Sequence, residues 1–177
     1  MITVNYLRYD TESKCTELIG SSLQRKTGKP IDVLETWANT YGLGITGSQA
    51  AFQNRLFIRQ KIPVLIDPFR QIYFFPTVTS SSPDCLWINA SHIKSIKATA
   101  LGSEIRFLDT TVMHLGIGRR SLMKQWKRCR QMEHLILRSE DLLKDRAVDN
   151  DAAPLAFEFP LAAGGAHIHV GDYTAVV

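Results

Sequence analysis

The residues best suited to chemistry in this chain are cations. From Arg119 the sequence reads RRSLMKQWKRCRQMEHLILR. Leu122, Trp126, Cys129, Met132 and Ile136 recur at three- and four-residue steps, the signature of an amphipathic helix over about 119–137. Arg120, Lys124, Lys127, Arg128 and Arg138 fall opposite that stripe, Arg119 and Arg130 lie at its flanks, and Glu133 sits on the apolar side. A face of this kind can neutralise phosphates and release their counterions, which makes binding salt-sensitive. The plainer reading of the same spacing is a solvated face opposite a core stripe. Further cations, Arg70, Lys94, Lys97 and Arg106, sit on or beside strand-like segments that can share the surface.

Enzymatic constellations are weaker. Gly42-Leu43-Gly44-Ile45-Thr46-Gly47 spells G-x-G-x-x-G, with Asp67 twenty positions on. In a dinucleotide site such glycines follow a buried strand and admit a pyrophosphate, while the acid holds a ribose. Here the preceding TWANTY is not strand-like, so a loop between helices is the better reading. His167 and His169 alternate like two metal ligands on a strand, but the tail around them looks loose and a surface pair is the plainer reading. Cys85 and His92 invite a thiolate–imidazole pair, yet Cys85 between Pro83 and Trp87 reads as a core thiol. No paired carboxylates stand out. The expectation is a non-enzymatic protein with no catalytic residues, no metal and no cofactor.

Composition bounds the class. The 177 residues suffice for one core-forming domain with an appendage, without disulfide or metal staples. Cys15, Cys85 and Cys129 are widely spaced and make no Cys-x-x-Cys, so reduced thiols in a cytoplasmic protein are expected. No apolar run has membrane-spanning length, and the N-terminus has no signal-peptide pattern. The net charge of +4 is unevenly divided. Residues 1–138 carry 19 Lys and Arg against 10 Asp and Glu, whereas 139–177 carry 2 against 7. A basic body over 1–138 with an acidic tail over 139–177 favours a polyanionic partner.

The elements that must position these groups are legible in outline. Residues 2–6 alternate like a strand, 15–23 form a second strand, and 25–29 make a basic turn. Pro30 opens a helix that ends by Gly42, and Ser48 N-caps another to Phe57. Their glycine-rich connection looks too long for a helix-turn-helix. From Ile62 to Ile117 come apolar runs separated by turn residues, which read as one antiparallel sheet. The expected fold is α+β. It has an antiparallel sheet with the long basic helix packed on it, short helices before the sheet, and a loosely structured acidic C-terminal tail.

Within that sheet block the residues Phe75-Pro76-Thr77, a Ser cluster, Pro83-x-Cys85-x-Trp87-Ile88, His92-Ile93-Lys94 and Lys97-Ala98-Thr99 follow one another at fixed spacing. This pattern resembles the ComK family of competence transcription factors, from about Pro63 to His134. The resemblance implies an activator of DNA-uptake genes that binds A/T-rich promoter boxes through the minor groove. It also implies self-association as a dimer or higher oligomer, and control by a MecA-type adaptor of the ClpC protease. Asn89, His92, Lys94 and Lys97 lie on the best-matching block and are chemically suited to minor-groove acceptors. Phe157, Phe159 and Pro160 in FEFP look like the family's adaptor-docking motif; an added strand is the alternative. Two other readings stay open. One is a β-rich module that binds RNA or a protein. The other is a nucleotide-dependent enzyme using the Gly42-Gly44-Gly47 loop.

Overall fold

A computed structural model describes residues 3–148, with side chains through Arg138. The fold is α+β. Three strands, β1 (Val4–Asp10), β2 (Cys15–Gly20) and β3 (Leu23–Thr27), form an antiparallel meander. The first turn is closed by Asp10, whose carboxylate accepts from the Glu12 N–H at 3.1 Å and the Ser13 hydroxyl at 2.6 Å. The expected basic turn at 25–29 is instead mostly strand: β3 follows a tight Ser21-Ser22 turn, and all five of its residues are exposed. An outer strand with little apolar content carries no hydrophobic alternation, so the pattern gave no signal.

Helices α1 (Pro30–Asn39) and α2 (Ile45–Leu56) follow. Pro30 takes the first helical position, and the Asp32 carboxylate accepts from the Lys29 N–H at 3.0 Å. The connection spans only residues 40–44, shorter than expected, because Gly42 adopts φ +72° and turns the chain at once. Helix α2 starts three residues before Ser48. Its N-terminus is held by Glu35, whose carboxylate accepts from the Ile45 N–H at 3.0 Å, while the Ser48 hydroxyl accepts from the Leu65 N–H at 2.6 Å. Gly47 therefore lies inside a helix, and the G-x-G-x-x-G segment follows a helix rather than a strand.

Strands β4 (Val64–Asp67), β5 (Ile72–Pro76) and β6 (Trp87–Asn89) complete a six-stranded sheet in the order β3-β2-β1-β6-β5-β4. A 3-10 turn at Ala90–His92 leads into a separate three-stranded sheet of β7 (Ile93–Thr99), β8 (Gly102–Phe107) and β9 (Val112–Leu115). The single sheet expected over 62–117 is thus divided, and the N-terminal meander joins its first half. Pairing of β1 with β6, Leu7 opposite Trp87, is a long-range contact that local patterning does not announce. Helix α3 (Arg119–Val148) closes the described chain.

Strand β5 is buried on both faces, which explains its continuous apolar run. Ile72 and Phe74 face a core with Leu7, Leu18, Trp87 and the α1 residues Val33, Leu34 and Ala38. Tyr73 and Phe75 face a second core with Phe52 of α2, Ile96, Ile105 and Phe107 of the smaller sheet, and Leu122, Cys129 and Met132 of α3. The α3 stripe is seated as its periodicity requires. Trp126 is half-buried against the same core and donates its indole N–H to the Ala90 carbonyl at 3.0 Å.

Candidate nucleic-acid interface

Burying the α3 stripe turns the opposite face outward. Arg119, Arg120, Lys124, Lys127 and Arg128 line one open groove of about 1130 Å³, together with Leu56, Phe57 and Ile58 at the end of α2. No described carboxylate lines it. Two of its cations are anchored. Arg119 donates from Nε to the Ile96 carbonyl at 3.0 Å, and Arg128 donates from one guanidinium nitrogen to the Gln60 carbonyl at 3.0 Å and to Gln125 Oε1 at 3.1 Å. Partial burial lowers the Arg128 pKa from its usual value. Arg120, Lys124 and Lys127 are outward-facing or rim cations with no carboxylate partner among the described residues. Arg138 continues the exposed side, whereas Arg130 pairs with Glu133 at 3.1 Å.

The strand residues divide. Lys94 and Lys97 are exposed on β7, the strand whose backbone Arg119 touches. Arg106 is exposed on the neighbouring β8 and lies 3.8 Å from Glu104. Arg70 is not brought to the groove. It sits at the β4–β5 turn, where its guanidinium reaches Asp67 at 3.1 Å and borders a smaller hollow of about 360 Å³ with Arg130 and Glu133. Asp67 also accepts from the Phe69 and Arg70 N–H groups, each at 3.0 Å, so its oxygens close the turn.

Asn89 and His92 are built into the fold. Asn89 is fully buried; it donates to the Val4 carbonyl at 2.9 Å and accepts from the Ser91 N–H at 3.1 Å, capping the 3-10 turn. His92 is half-buried with Nδ1 3.2 Å from Asn5 Oδ1. The Asn5 amide in turn donates to Asp109 at 2.8 Å and to Thr111 at 3.0 Å. Since the Asn5 oxygen can only accept, His92 Nδ1 carries the proton. Desolvation lowers the His92 pKa below 6.5, partly opposed by Asp109. Cys85 is a buried thiol in the α1-side core, its pKa raised by desolvation.

Phe57 was legible only as a helix end; its place in the groove depends on a left-handed backbone that no sequence pattern announced. Phe157, Phe159, Pro160, His167 and His169 lie outside the described residues. Among the described residues no cluster of three or more His, Cys, Asp or Glu is placed to hold a metal ion, and no helix is long and apolar enough to cross a membrane.

Comparison with known proteins meets this geometry. The competence transcription factor of Bacillus subtilis (strain 168) is 33% identical over 98 residues, which is 55% of this chain and 51% of that protein. The chain therefore aligns with about half the length of this curated relative. No solved structure matches. The family model described as ComK protein matches residues 1–140, taking in both sheets and the cationic start of α3, and the chain belongs to the ComK family.

Proposed function

We propose that this chain is a competence transcription factor that binds A/T-rich promoter DNA and activates genes of DNA uptake. The observation that carries the reading is the groove in which Arg119, Arg120, Lys124, Lys127 and Arg128 converge with no described carboxylate among them. Such a surface suits a polyanion, and a duplex presents phosphates at a spacing a helix face can follow. The named relative supports promoter DNA as the polyanion. The protein acts as a cytoplasmic regulator without catalysis or cofactor.

Lys94, Lys97 and Arg106 on the smaller sheet extend the cationic surface, and base preference arises there or in the groove, through the minor groove. Asn89 and His92 support this surface from within the fold. The protein works as a dimer or higher oligomer, and a MecA-type adaptor of the ClpC protease engages Phe157, Phe159 and Pro160.

Mobility shifts on A/T-rich duplex, mixed-sequence duplex and single-stranded RNA, each across a salt series, test the reading. Tightest binding to A/T-rich duplex with a steep salt slope is expected. Equal or tighter binding to RNA, or none to duplex, overturns it.

A further inference from the structure

Phe57 stands out in the cationic groove. It is 91% exposed, whereas its neighbours Leu56 and Ile58 pack against the core. It caps the C-terminus of α2 in the left-handed region, φ +52° and ψ +43°. Glycine or asparagine is the usual residue there, because a bulky side chain at positive φ is strained. Its ring makes no aromatic contact among the described residues. The fold thus accepts both a left-handed backbone and a 91% exposed aromatic ring at one position. Of the described non-glycine residues at positive φ, which include Lys14, Lys61, Gln71 and Thr110, Phe57 is the aromatic one, and strain kept beneath an exposed ring points to a use outside the fold.

The surroundings identify that use. Phe57 shares its groove with Arg120, Lys124, Lys127 and Arg128, so whatever meets the ring also meets a dense row of positive charge. The segment after Phe57 is tied down twice. Arg128 holds the Gln60 carbonyl at 3.0 Å, and Lys61 donates to the Thr77 carbonyl at 2.9 Å. The backbone that carries the ring is therefore held beside the cations before any ligand arrives. An apolar partner would leave the charges desolvated and unpaired. Duplex DNA supplies phosphates for the cations and, between adjacent base pairs, an apolar slot for a ring.

We propose that Phe57 is a wedge that inserts at a base step of the bound duplex and unstacks it, while the α3 cations hold the flanking phosphates. The proposal rests on the DNA reading above and adds a residue and an action to it. An unstacking residue favours steps that part easily, and pyrimidine–purine steps such as TA are among them. Phe57 thereby contributes to a preference for A/T-rich sequence without hydrogen-bonding a base.

The test uses the full chain, with Phe57→Gly and Phe57→Leu, on A/T-rich duplexes that carry 2-aminopurine in turn at each adenine. Wild-type protein is expected to raise the probe's fluorescence at one or two positions. Phe57→Gly should abolish the rise and weaken binding on the order of tenfold, within the range of stacking losses. Its salt slope should not change, and its melting temperature should hold or increase because glycine relieves the backbone. Phe57→Leu should keep part of the rise. Duplex binding with no fluorescence change at any position overturns the wedge alone, as does a rise that persists in Phe57→Gly. A wild-type chain that binds no duplex overturns the DNA reading with it. If sedimentation shows that Phe57→Gly dissociates an oligomer while the rise persists, the ring is a contact between copies and the proposal fails.

Discussion

Arg119 and Ile96 join the first turn of α3 to the smaller sheet: the guanidinium Nε donates to a carbonyl of β7 at 3.0 Å. Strand β7 ends the β7-β8-β9 sheet, so this bond serves a backbone group on the side away from β8. Arg128 makes the equivalent tie to the Gln60 carbonyl. The groove cations are thus of two kinds, with different expected behaviour.

Replacing Arg120, Lys124 and Lys127 by Ala should leave stability within about 0.5 kcal/mol, as for exposed substitutions. It should flatten the salt slope of DNA binding by roughly 0.9 for each phosphate that is no longer neutralised. Arg119→Ala and Arg128→Ala should in addition lower stability by about 1 kcal/mol each, because each removes a hydrogen bond to a backbone carbonyl. Urea titrations beside salt-dependent binding curves separate the two effects. Equal stability loss across all five positions would contradict the division.

Trp126 combines a packed ring with a polar handle. Trp126→Phe should cost about 1 kcal/mol, because the Ala90 carbonyl loses the indole donor while keeping the Ile93 N–H. Trp126→Ala should cost about 3 kcal/mol, near the low end for core aromatics because the ring is only half-buried. A denaturation midpoint unmoved by Trp126→Ala would mean that α3 does not pack on this core.

His92 makes stability pH-dependent in a definite direction. Burial lowers its pKa in the folded state, so the unfolded chain takes up the proton first as pH falls. The stability it contributes is present above pH 6.5 and is lost as pH drops through the lowered folded value. His92→Gln should therefore reduce the difference in stability between pH 7.5 and the mildly acidic range. Chemical denaturation at the two pH values checks this, and an identical difference in both proteins would remove His92 from the account.

Gly102 has a backbone that other residues rarely adopt, φ +147°, and an added Cβ would lie 2.1 Å from the Leu115 carbonyl oxygen. Gly102→Ala should destabilise by about 2–4 kcal/mol, as strain at a special backbone position does. Thermal melting is sufficient to see it, and a shift of less than a degree would show that β8 and β9 do not approach so closely.

The sequence announced some of this arrangement well. The α3 stripe from Leu122 to Met132 is buried as its period requires, and the Ile72–Phe75 run is a strand covered on both sides. What stayed hidden depends on contacts between distant residues. Asn89 looks like a base reader because asparagine often is one, yet Val4, far away in sequence, claims its amide. Arg70 looks like part of a cationic surface until Asp67 draws it to its own turn. Phe57 passes for an ordinary helix terminus, since a left-handed φ leaves no trace in composition.

The pairing of Leu7 with Trp87 has a consequence for how the molecule is made. The β1–β3 meander is complete early in synthesis, but the partner of its inner edge, β6, is translated only after two helices and two further strands. Until then one side of β1 presents unpaired backbone and uncovered Leu7, an invitation to the wrong neighbour. Closing so long a loop also slows the search for the native topology. Refolding monitored through a variant that keeps Trp87 as its sole tryptophan should show that residue becoming buried late, after the β1–β3 hairpins have gained protection from hydrogen exchange.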